Sequence, residues 1–286
     1  MNSVNEYLLN LAARNAETYS KNPYVKAIAV VGSVATQRAT AYSDIDTVLF
    51  YERVPDTTFL EEVMKQNRGQ SWQILSQDET GFLDTYKVKG VECQFSHGLV
   101  SWYENILKEV LERYSTDKVH HVVLSGLQDA LPLYGEPLIR GMKTRIARYP
   151  EKLSIALVNE HLMFPPIDEL RYRTMKEDNQ VRYYEILTKI ATNILGILVG
   201  LNKTYMPRNF AKMDVLIRGF GVSPENLYER LNRVFTEDRE AALAQINKLI
   251  LETTDLVEEY LPEVDVKSFK SAYLVKLRPI VPEGEV

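Results

Sequence analysis

The sequence predicts an α+β fold, in which a sheet-containing N-terminal domain is followed by an all-helical C-terminal domain. Every segment with the short apolar or alternating pattern of a strand lies before residue 97. From about Val100 onward, apolar residues recur at helical spacing instead. At 286 residues the chain is long enough for two domains. We therefore predict a first domain at residues 1–100 and a second at residues 101–286.

The predicted N-terminal domain begins with a helix over residues 3–20, where Tyr7, Leu8 and Leu11 belong to one apolar stripe. A second helix is predicted from Thr57 to Asn67. Lys89-Gly90 is typical of a tight hairpin turn. The predicted strands cover residues 24–31, 47–50, 71–77, 82–88 and 91–96.

The predicted C-terminal domain is organised around a helix over residues 180–201, whose apolar residues keep the i, i+3, i+4, i+7 spacing of one buried face. Ser223-Pro224-Glu225 predicts a helix start, with Ser223 as N-cap and proline in the first turn. The other predicted helices cover residues 102–114, 118–130, 138–148, 151–163, 168–177, 210–220, 224–234 and 238–261.

Composition narrows the functional classes. Lys and Arg number 34 against 39 Asp and Glu, a net charge of -5, which disfavours binding to long nucleic-acid tracts. The single cysteine, Cys93, cannot form an intrachain disulfide or a cysteine-rich zinc site. The N-terminus lacks the pattern of a signal peptide, and no uninterrupted apolar run reaches the roughly 18 residues of a membrane span. We expect a cytoplasmic protein with no membrane association.

Two aspartates, Asp44 and Asp46, lie at the start of the second predicted strand. On a strand their side chains point to the same face, with Cα atoms about 6.6 Å apart. Two neighbouring ionised carboxylates repel each other unless a cation lies between them or they share a proton. Mg²⁺ meets this need and also binds phosphate oxygens, so the pair predicts a metal site. The alternative, common for such pairs, is a polar strand end that faces water.

Gly32-Ser33 follows a buried strand and precedes a predicted short helix. Glycine lets the backbone approach a ligand closely, and amides at a helix start can receive phosphate oxygens. The Ser33 hydroxyl can add a further hydrogen bond. The alternative is a helix-capping serine after a tight turn.

A third acid, Glu92, lies on a predicted strand where Val91, Cys93 and Phe95 point to the opposite side. If this strand neighbours the aspartate strand, about 4.8 Å away, Glu92 faces the same ion. It would then ligate the metal, take a proton from an attacking hydroxyl, or do both. The alternative is an exposed acid on an edge strand.

Together, Gly32-Ser33, the segment Tyr42–Asp46 and the segment Val91–Phe95 resemble the polymerase-β-type nucleotidyltransferase superfamily. Within it, the sequence is most similar to the antibiotic (aminoglycoside and lincosamide) nucleotidyltransferases. The resemblance implies a small mixed-sheet domain with flanking helices, followed by helices. It also implies transfer of a nucleoside monophosphate from a Mg²⁺-bound triphosphate to a hydroxyl, with release of pyrophosphate.

Residue by residue, the resemblance implies that Gly32 and Ser33 contact phosphate, that Asp44 and Asp46 bind Mg²⁺ and that Glu92 is the base. It covers about residues 24–97, so it does not identify the acceptor. The kanamycin-type enzymes have Glu at the second acid, where this chain has Asp46. Relatives often build acceptor sites between subunits, which makes a homodimer plausible.

Cations beyond the metal are needed to bind a triphosphate. We predict Arg38, placed in the short helix after Ser33, as one phosphate contact. The basic loop from Asn202 to Lys212 resembles a segment of the helical domains of related nucleotidyltransferases, and this resemblance implies Lys212, and less firmly Lys203 or Arg208, as further contacts. Tyr205 in the same basic loop would stack on a ligand or pack internally. The alternatives are a solvated helix residue for Arg38 and an ordinary interhelical connection for the loop.

We therefore predict an enzyme that transfers a nucleoside monophosphate from a nucleoside triphosphate, with ATP as the expected donor, to a small hydroxyl-bearing acceptor. An aminoglycoside or lincosamide antibiotic is the acceptor that the resemblance suggests. One alternative is an AMP-transferase that modifies a protein side chain. Another is a non-catalytic, nucleotide-binding regulatory module with the same fold.

Overall fold

The structure is a computed structural model and describes residues 3–176 and 178–275. It comprises two compact units. The first contains the described residues up to Arg113 together with Val119–Tyr149, and the second contains Tyr114–Lys118 and the described residues from Pro150 onward. The helices between residues 100 and 149 therefore belong to the same compact unit as the sheet. The predicted functional division near residue 100 stays a prediction.

The elements of the first unit are mostly those that the sequence predicts. Its helices are α1 (Ser3–Tyr19), α2 (Gly32–Ala35), α3 (Thr57–Gln66), α4 (Val100–Leu111), α5 (Lys118–Gln128) and α6 (Glu136–Ile146). Its strands are β1 (Val25–Val31), β2 (Ile45–Tyr51), β3 (Gln70–Asp78), β4 (Gly81–Val88), β5 (Val91–Leu99) and β6 (Leu131–Tyr134).

The six strands form one mixed sheet in the order β3-β4-β5-β2-β1-β6. β2 and β5 run parallel, and the other neighbours are antiparallel. This confirms the α+β class with a mixed sheet and flanking helices. The sequence analysis missed β6, which pairs with β1 at the sheet edge and contains Pro132. Proline has no N–H to donate, so strands that contain it usually lie at an edge.

The two faces of the sheet have different surroundings. On the core face, strand residues such as Ile28, Leu49 and Phe95 pack in one buried cluster with α1 and α3. On the opposite face, Phe50 contacts Tyr103 of α4, with ring centroids 4.4 Å apart. We call this second face the site face because it carries Asp46, whose neighbour Ile45 is buried in the core.

A buried hydrogen-bonded chain crosses four strands on the core face. The Tyr51 hydroxyl of β2 lies 3.0 Å from Nδ1 of His97 on β5, and Nε2 of His97 lies 3.0 Å from Oδ1 of Asp84 on β4. The indole N–H of Trp72 on β3 donates to the other Asp84 oxygen at 2.6 Å. Asp84 and His97 are 0% and 2% exposed. The chain thus connects polar groups that would otherwise be buried without partners.

The predicted turn at Lys89-Gly90 is confirmed. Both residues have positive φ, 53° and 83°, as a two-residue hairpin turn requires. The turn sets the pairing of β4 with β5, in which Lys87 lies opposite Glu92.

The second unit is helical and is built around α9 (Gln180–Leu201), as predicted. α9 packs against α7 and α12, and every residue from Asn193 to Gly200 is buried. Its length and composition would also allow it to cross a membrane, the one such helix among residues 3–176 and 178–275. The packing is that of a core helix. The other helices of this unit are α7 (Glu151–His161), α8 (Ile167–Met175), α10 (Met213–Arg218), α11 (Leu227–Val234), α12 (Arg239–Tyr260) and α13 (Val266–Tyr273).

Three predicted features of the second unit differ from the structure. The predicted helix start at Ser223-Pro224-Glu225 is wrong: α11 begins at Leu227, since Asn226 is left-handed with φ 52° and interrupts a helical path. The helix predicted over residues 210–220 is shortened to α10, and α13 was not predicted. Residue 177, at the end of a predicted helix, lies outside the described residues.

We expect His97→Leu to lower the free energy of unfolding by about 2–4 kcal/mol, because it removes the buried partner of the Tyr51 hydroxyl and of Oδ1 of Asp84, whose carboxyl keeps only its bond from Trp72. Urea unfolding monitored by fluorescence measures this change. The control, Gln77→Leu, alters an exposed side chain of β3 and should shift stability by less than about 0.5 kcal/mol. Equal effects of the two substitutions would contradict a stabilising role for the chain.

Candidate active site

The two aspartates lie where β2 begins. β2 starts at Ile45, so Asp44 directly precedes the strand and Asp46 is its second residue. Ile45 between them is fully buried, whereas both aspartates are partly exposed. Asp44 and Asp46 therefore share the accessible site face at one edge of the sheet.

Parallel pairing of β2 with β5 brings the third acid to the same place. Ile45 pairs with Cys93 and Asp46 with Gln94, so one step further along the register sets Asp44 beside Glu92. Adjacent strands lie about 4.8 Å apart. The Gln94 amide donates to Oδ2 of Asp44 at 3.4 Å. The condition set for Glu92, that its strand neighbours the aspartate strand, is thus met.

Gly32 forms the wall next to Asp46. It has φ +68°, and a Cβ built on it would lie 2.6 Å from Oδ2 of Asp46. Any larger residue would push the carboxylate away, and an L-residue would also be strained at this φ. The tight Gly32-Ser33 turn therefore allows the end of β1 to lie directly against the Asp46 carboxylate. This close approach is the spatial link between the predicted phosphate turn and the predicted metal ligands.

Arg38 lies elsewhere than predicted. α2 ends at Ala35, so Arg38 is in the following loop and not in the short helix. The chain turns at Gln37, which has φ 56°, and the Arg38 N–H donates to the Ser33 carbonyl at 2.9 Å. The Arg38 side chain is exposed. Its contact with phosphate stays a prediction.

The basic loop of the second unit includes Lys203, Arg208 and Lys212. Lys212 directly precedes α10 and is exposed, and its contact with phosphate stays a prediction. Tyr205 is only 3% exposed, and burial raises the pKa of its hydroxyl. This burial supports internal packing of Tyr205 over stacking on a ligand.

Two polar residues beside the carboxylates were not singled out from the sequence. Gln94 lies next to Asp46, and Lys87 lies opposite Glu92. Lys87 is exposed and supplies a positive charge on the site face next to Glu92. The alternation of β4 and β5 around the Lys89-Gly90 turn could have identified both, because residues that pair across a hairpin share a face.

A cleft of about 650 Å³ opens at this edge of the sheet. Asp44, Glu92 and Lys87 line it, together with residues of α1 and of the loop that precedes β2. Tyr42 in that loop is 99% exposed at the rim of the cleft. Acidic groups, a cation and an accessible volume of ligand size thus occur together.

The residues present suit a magnesium ion. Among residues 3–176 and 178–275, no group of three or more His, Cys, Asp or Glu side chains is arranged to hold a metal. Mg²⁺ does not need such a cage, since it is usually bound by one or two carboxylates together with substrate phosphates and water. Asp44 and Asp46 supply two carboxylates on one face, and Gly32 leaves the space beside Asp46 that a side chain would fill.

Residues 14–97 match the family model described as a nucleotidyltransferase domain. This span contains Gly32, both aspartates and Glu92. Residues 14–97 therefore form a nucleotidyltransferase domain. The match confirms the resemblance to the polymerase-β-type superfamily, and it leaves the antibiotic subgroup as a prediction.

Comparison of the whole chain with solved structures gives distant similarities. A nucleotidyltransferase-like protein from Exiguobacterium sibiricum is 11% identical with a TM-score of 0.39, over 89% of this chain and 79% of that one. The CCA-adding enzyme of Thermotoga maritima, complexed with tRNA, is 10% identical with a TM-score of 0.30, over 97% and 88%.

A CCA-adding enzyme complexed with CTP is 13% identical with a TM-score of 0.29, over 94% of this chain and 79% of that one. Similarities at this level do not identify the substrates of this nucleotidyltransferase. A comparison with curated proteins gave no match.

We expect Gly32→Ala to lower the rate of nucleotidyl transfer at least about tenfold, because the added methyl displaces the Asp46 carboxylate from its position. The strained φ should also lower the free energy of unfolding by about 1–3 kcal/mol. Transfer assays and urea unfolding measure the two effects.

Gly90→Ala is the matched control. Gly90 also has positive φ, but a Cβ there meets nothing within 4 Å. It should lower stability by a similar amount with a smaller loss of activity. Equal losses of activity in both variants would show that the contact with Asp46 has no specific effect.

Proposed function

We propose that this nucleotidyltransferase transfers a nucleoside monophosphate from a Mg²⁺-bound triphosphate, ATP being the expected donor, to a hydroxyl of a small molecule. The observation that carries the proposal is the parallel pairing of β2 with β5, which gathers Asp44, Asp46 and Glu92 on one accessible sheet face. An antibiotic of the aminoglycoside or lincosamide type is a candidate acceptor, and a cytoplasmic location is part of the proposal. A homodimer remains compatible with it.

The proposed reaction joins the acceptor oxygen to the α-phosphorus and breaks the bond between that phosphorus and the bridging oxygen of the β-phosphate. Pyrophosphate leaves with the electron pair of the broken bond. Glu92 accepts the proton of the attacking hydroxyl, which makes the oxygen a better nucleophile. The Ser33 hydroxyl and the backbone of Gly32-Ser33 orient the β- and γ-phosphates.

Asp44 and Asp46 would hold Mg²⁺, and Gln94 orients Asp44 through its amide. The bound ion supplies charge neutralisation and polarisation of the phosphoryl oxygens. Lys87 adds a positive charge next to Glu92 on the site face. Arg38 and Lys212 are proposed as further phosphate contacts.

The test is incubation with radiolabelled ATP, Mg²⁺ and a panel that contains kanamycin and lincomycin. We expect Asp46→Asn and Glu92→Gln each to lower the transfer rate at least about 100-fold, since one removes a metal ligand and the other the base. Glu62→Gln on α3, an exposed acid outside the site, is the control and should leave the rate unchanged. Unchanged transfer by the Asp46 and Glu92 variants would show that the site is assigned wrongly.

For Lys212→Met we expect the KM for ATP to rise about tenfold or more with little change in kcat, because a charged hydrogen bond contributes about 1.5–3 kcal/mol. Steady-state kinetics with saturating acceptor measures this. Lys248→Met removes an exposed lysine of α12 and is the comparison variant. A KM that rises equally in both variants would mean that the effect is one of overall charge.

A further inference from the structure

A second cavity, of about 340 Å³, lies on the site face between the sheet and the helices α4 and α5. Val48 and Ser96 belong to its floor, while Trp102 of α4 and Gly126 of α5 belong to its helical side. We call it the α4–α5 cavity. Its volume is within the range of small-molecule sites in proteins.

The α4–α5 cavity begins one strand repeat away from Asp46 and Gln94. Val48 follows Asp46 by two residues, and Ser96 follows Gln94 by two residues. Residues two apart on a strand face the same way and are separated by about 6.6 Å. A molecule in the cavity can therefore extend a hydroxyl to the site.

Most of the sheet residues that line the cavity lie on the β5 side of β2. Its sheet residues come mainly from β3, β4 and β5, whereas β1 and β2 contribute only Val31 and Val48. Gly32-Ser33, the turn proposed to bind the phosphates, follows β1 on the other side of β2. Most of the cavity floor is thus separated from that turn by β2, and Val31 is the lining residue that adjoins it.

The lining is nearly free of charge. It contains no lysine or arginine, so it offers nothing to a triphosphate. Its one carboxylate, Asp78, is engaged in the β3–β4 turn, where its Oδ1 accepts from the Thr80 N–H, the Thr80 hydroxyl and the Gly81 N–H at 2.7, 2.6 and 3.1 Å. Burial raises the pKa of Tyr103, which keeps that phenol neutral. Phe82 and Trp102 add aromatic surface.

We propose that the α4–α5 cavity binds the acceptor, and that the acceptor is an uncharged, largely apolar molecule with a free hydroxyl. The assignment as acceptor site rests on the proposed function. A polycation such as an aminoglycoside is disfavoured, because burial of several ammonium groups requires several carboxylates and this cavity has only Asp78, which is engaged in the turn. The Ser96 hydroxyl supplies a hydrogen-bonding group to orient the molecule.

Gly126→Leu tests the proposal by filling the cavity. A Cβ at Gly126 meets nothing within 4 Å, and leucine favours a helix more than glycine does. Gly141→Leu is the matched control, since a Cβ there also meets nothing within 4 Å and Gly141 on α6 does not line the cavity. Ser96→Leu fills the cavity from the sheet and serves as a second variant. Circular dichroism establishes that each variant is folded.

The probe is 2-naphthylmethanol, an uncharged aromatic alcohol, with binding measured by saturation-transfer NMR. We expect wild type and Gly141→Leu to bind it, and Gly126→Leu and Ser96→Leu to bind it at least about tenfold more weakly. Binding of a non-hydrolysable ATP analogue with Mg²⁺ should be the same in all four proteins. Kanamycin should not displace the probe.

The proposal is overturned if wild type does not bind the probe, or if the filled variants bind it as wild type does. If the filled variants no longer bind the ATP analogue, the cavity would be the binding site of the nucleobase. If kanamycin displaces the probe, the cavity would bind a cationic molecule. This experiment measures binding without turnover, so its result is separate from that of the transfer assay. Wild-type protein that is inactive but still binds the probe would contradict the proposed function and not the binding of an apolar alcohol in the cavity.

Discussion

The candidate site depends on one constraint, the parallel register of β2 against β5. That register sets Asp44 beside Glu92 and Asp46 beside Gln94. A slip by one residue would turn the acids of one strand into the core, because successive strand residues face opposite ways. The buried chain of Tyr51, His97 and Asp84 links β2, β5 and β4 on the core face and favours this register. The polar groups of one face thus help to align those of the other.

The local sequence at the site is equally constrained by the close approach of β1 to β2. Gly32 is the residue that permits it, since its positive φ and missing side chain leave room for the Asp46 carboxylate. A motif that appears as a strand, a Gly-Ser turn and two acids along the chain becomes a compact group across two antiparallel strands, with Val31 paired to Asp46. The spacing in the sequence reflects this short excursion between neighbouring strands.

Charge is distributed unevenly around this group. The cleft lined by Asp44, Glu92 and Lys87 is polar, whereas the α4–α5 cavity has no lysine or arginine and one carboxylate held in a turn. A nucleotidyltransferase must bind one highly charged substrate and one acceptor of a different character. The first unit contains two cavities of unlike chemistry, and under the proposed function the apolar one would take the acceptor.

The sequence by itself determined the features that depend on local periodicity and turn chemistry. These include α1, α9, the Lys89-Gly90 turn and the common face of Asp44 and Asp46. Only the tertiary structure decided which strands are neighbours, because pairing depends on contacts between residues far apart in the chain. It placed Glu92 beside Asp44, added β6 at the edge, moved Arg38 out of α2 and delayed the start of α11 to Leu227. The α4–α5 cavity likewise results from the packing of helices on the sheet, and no local sequence pattern predicts that packing.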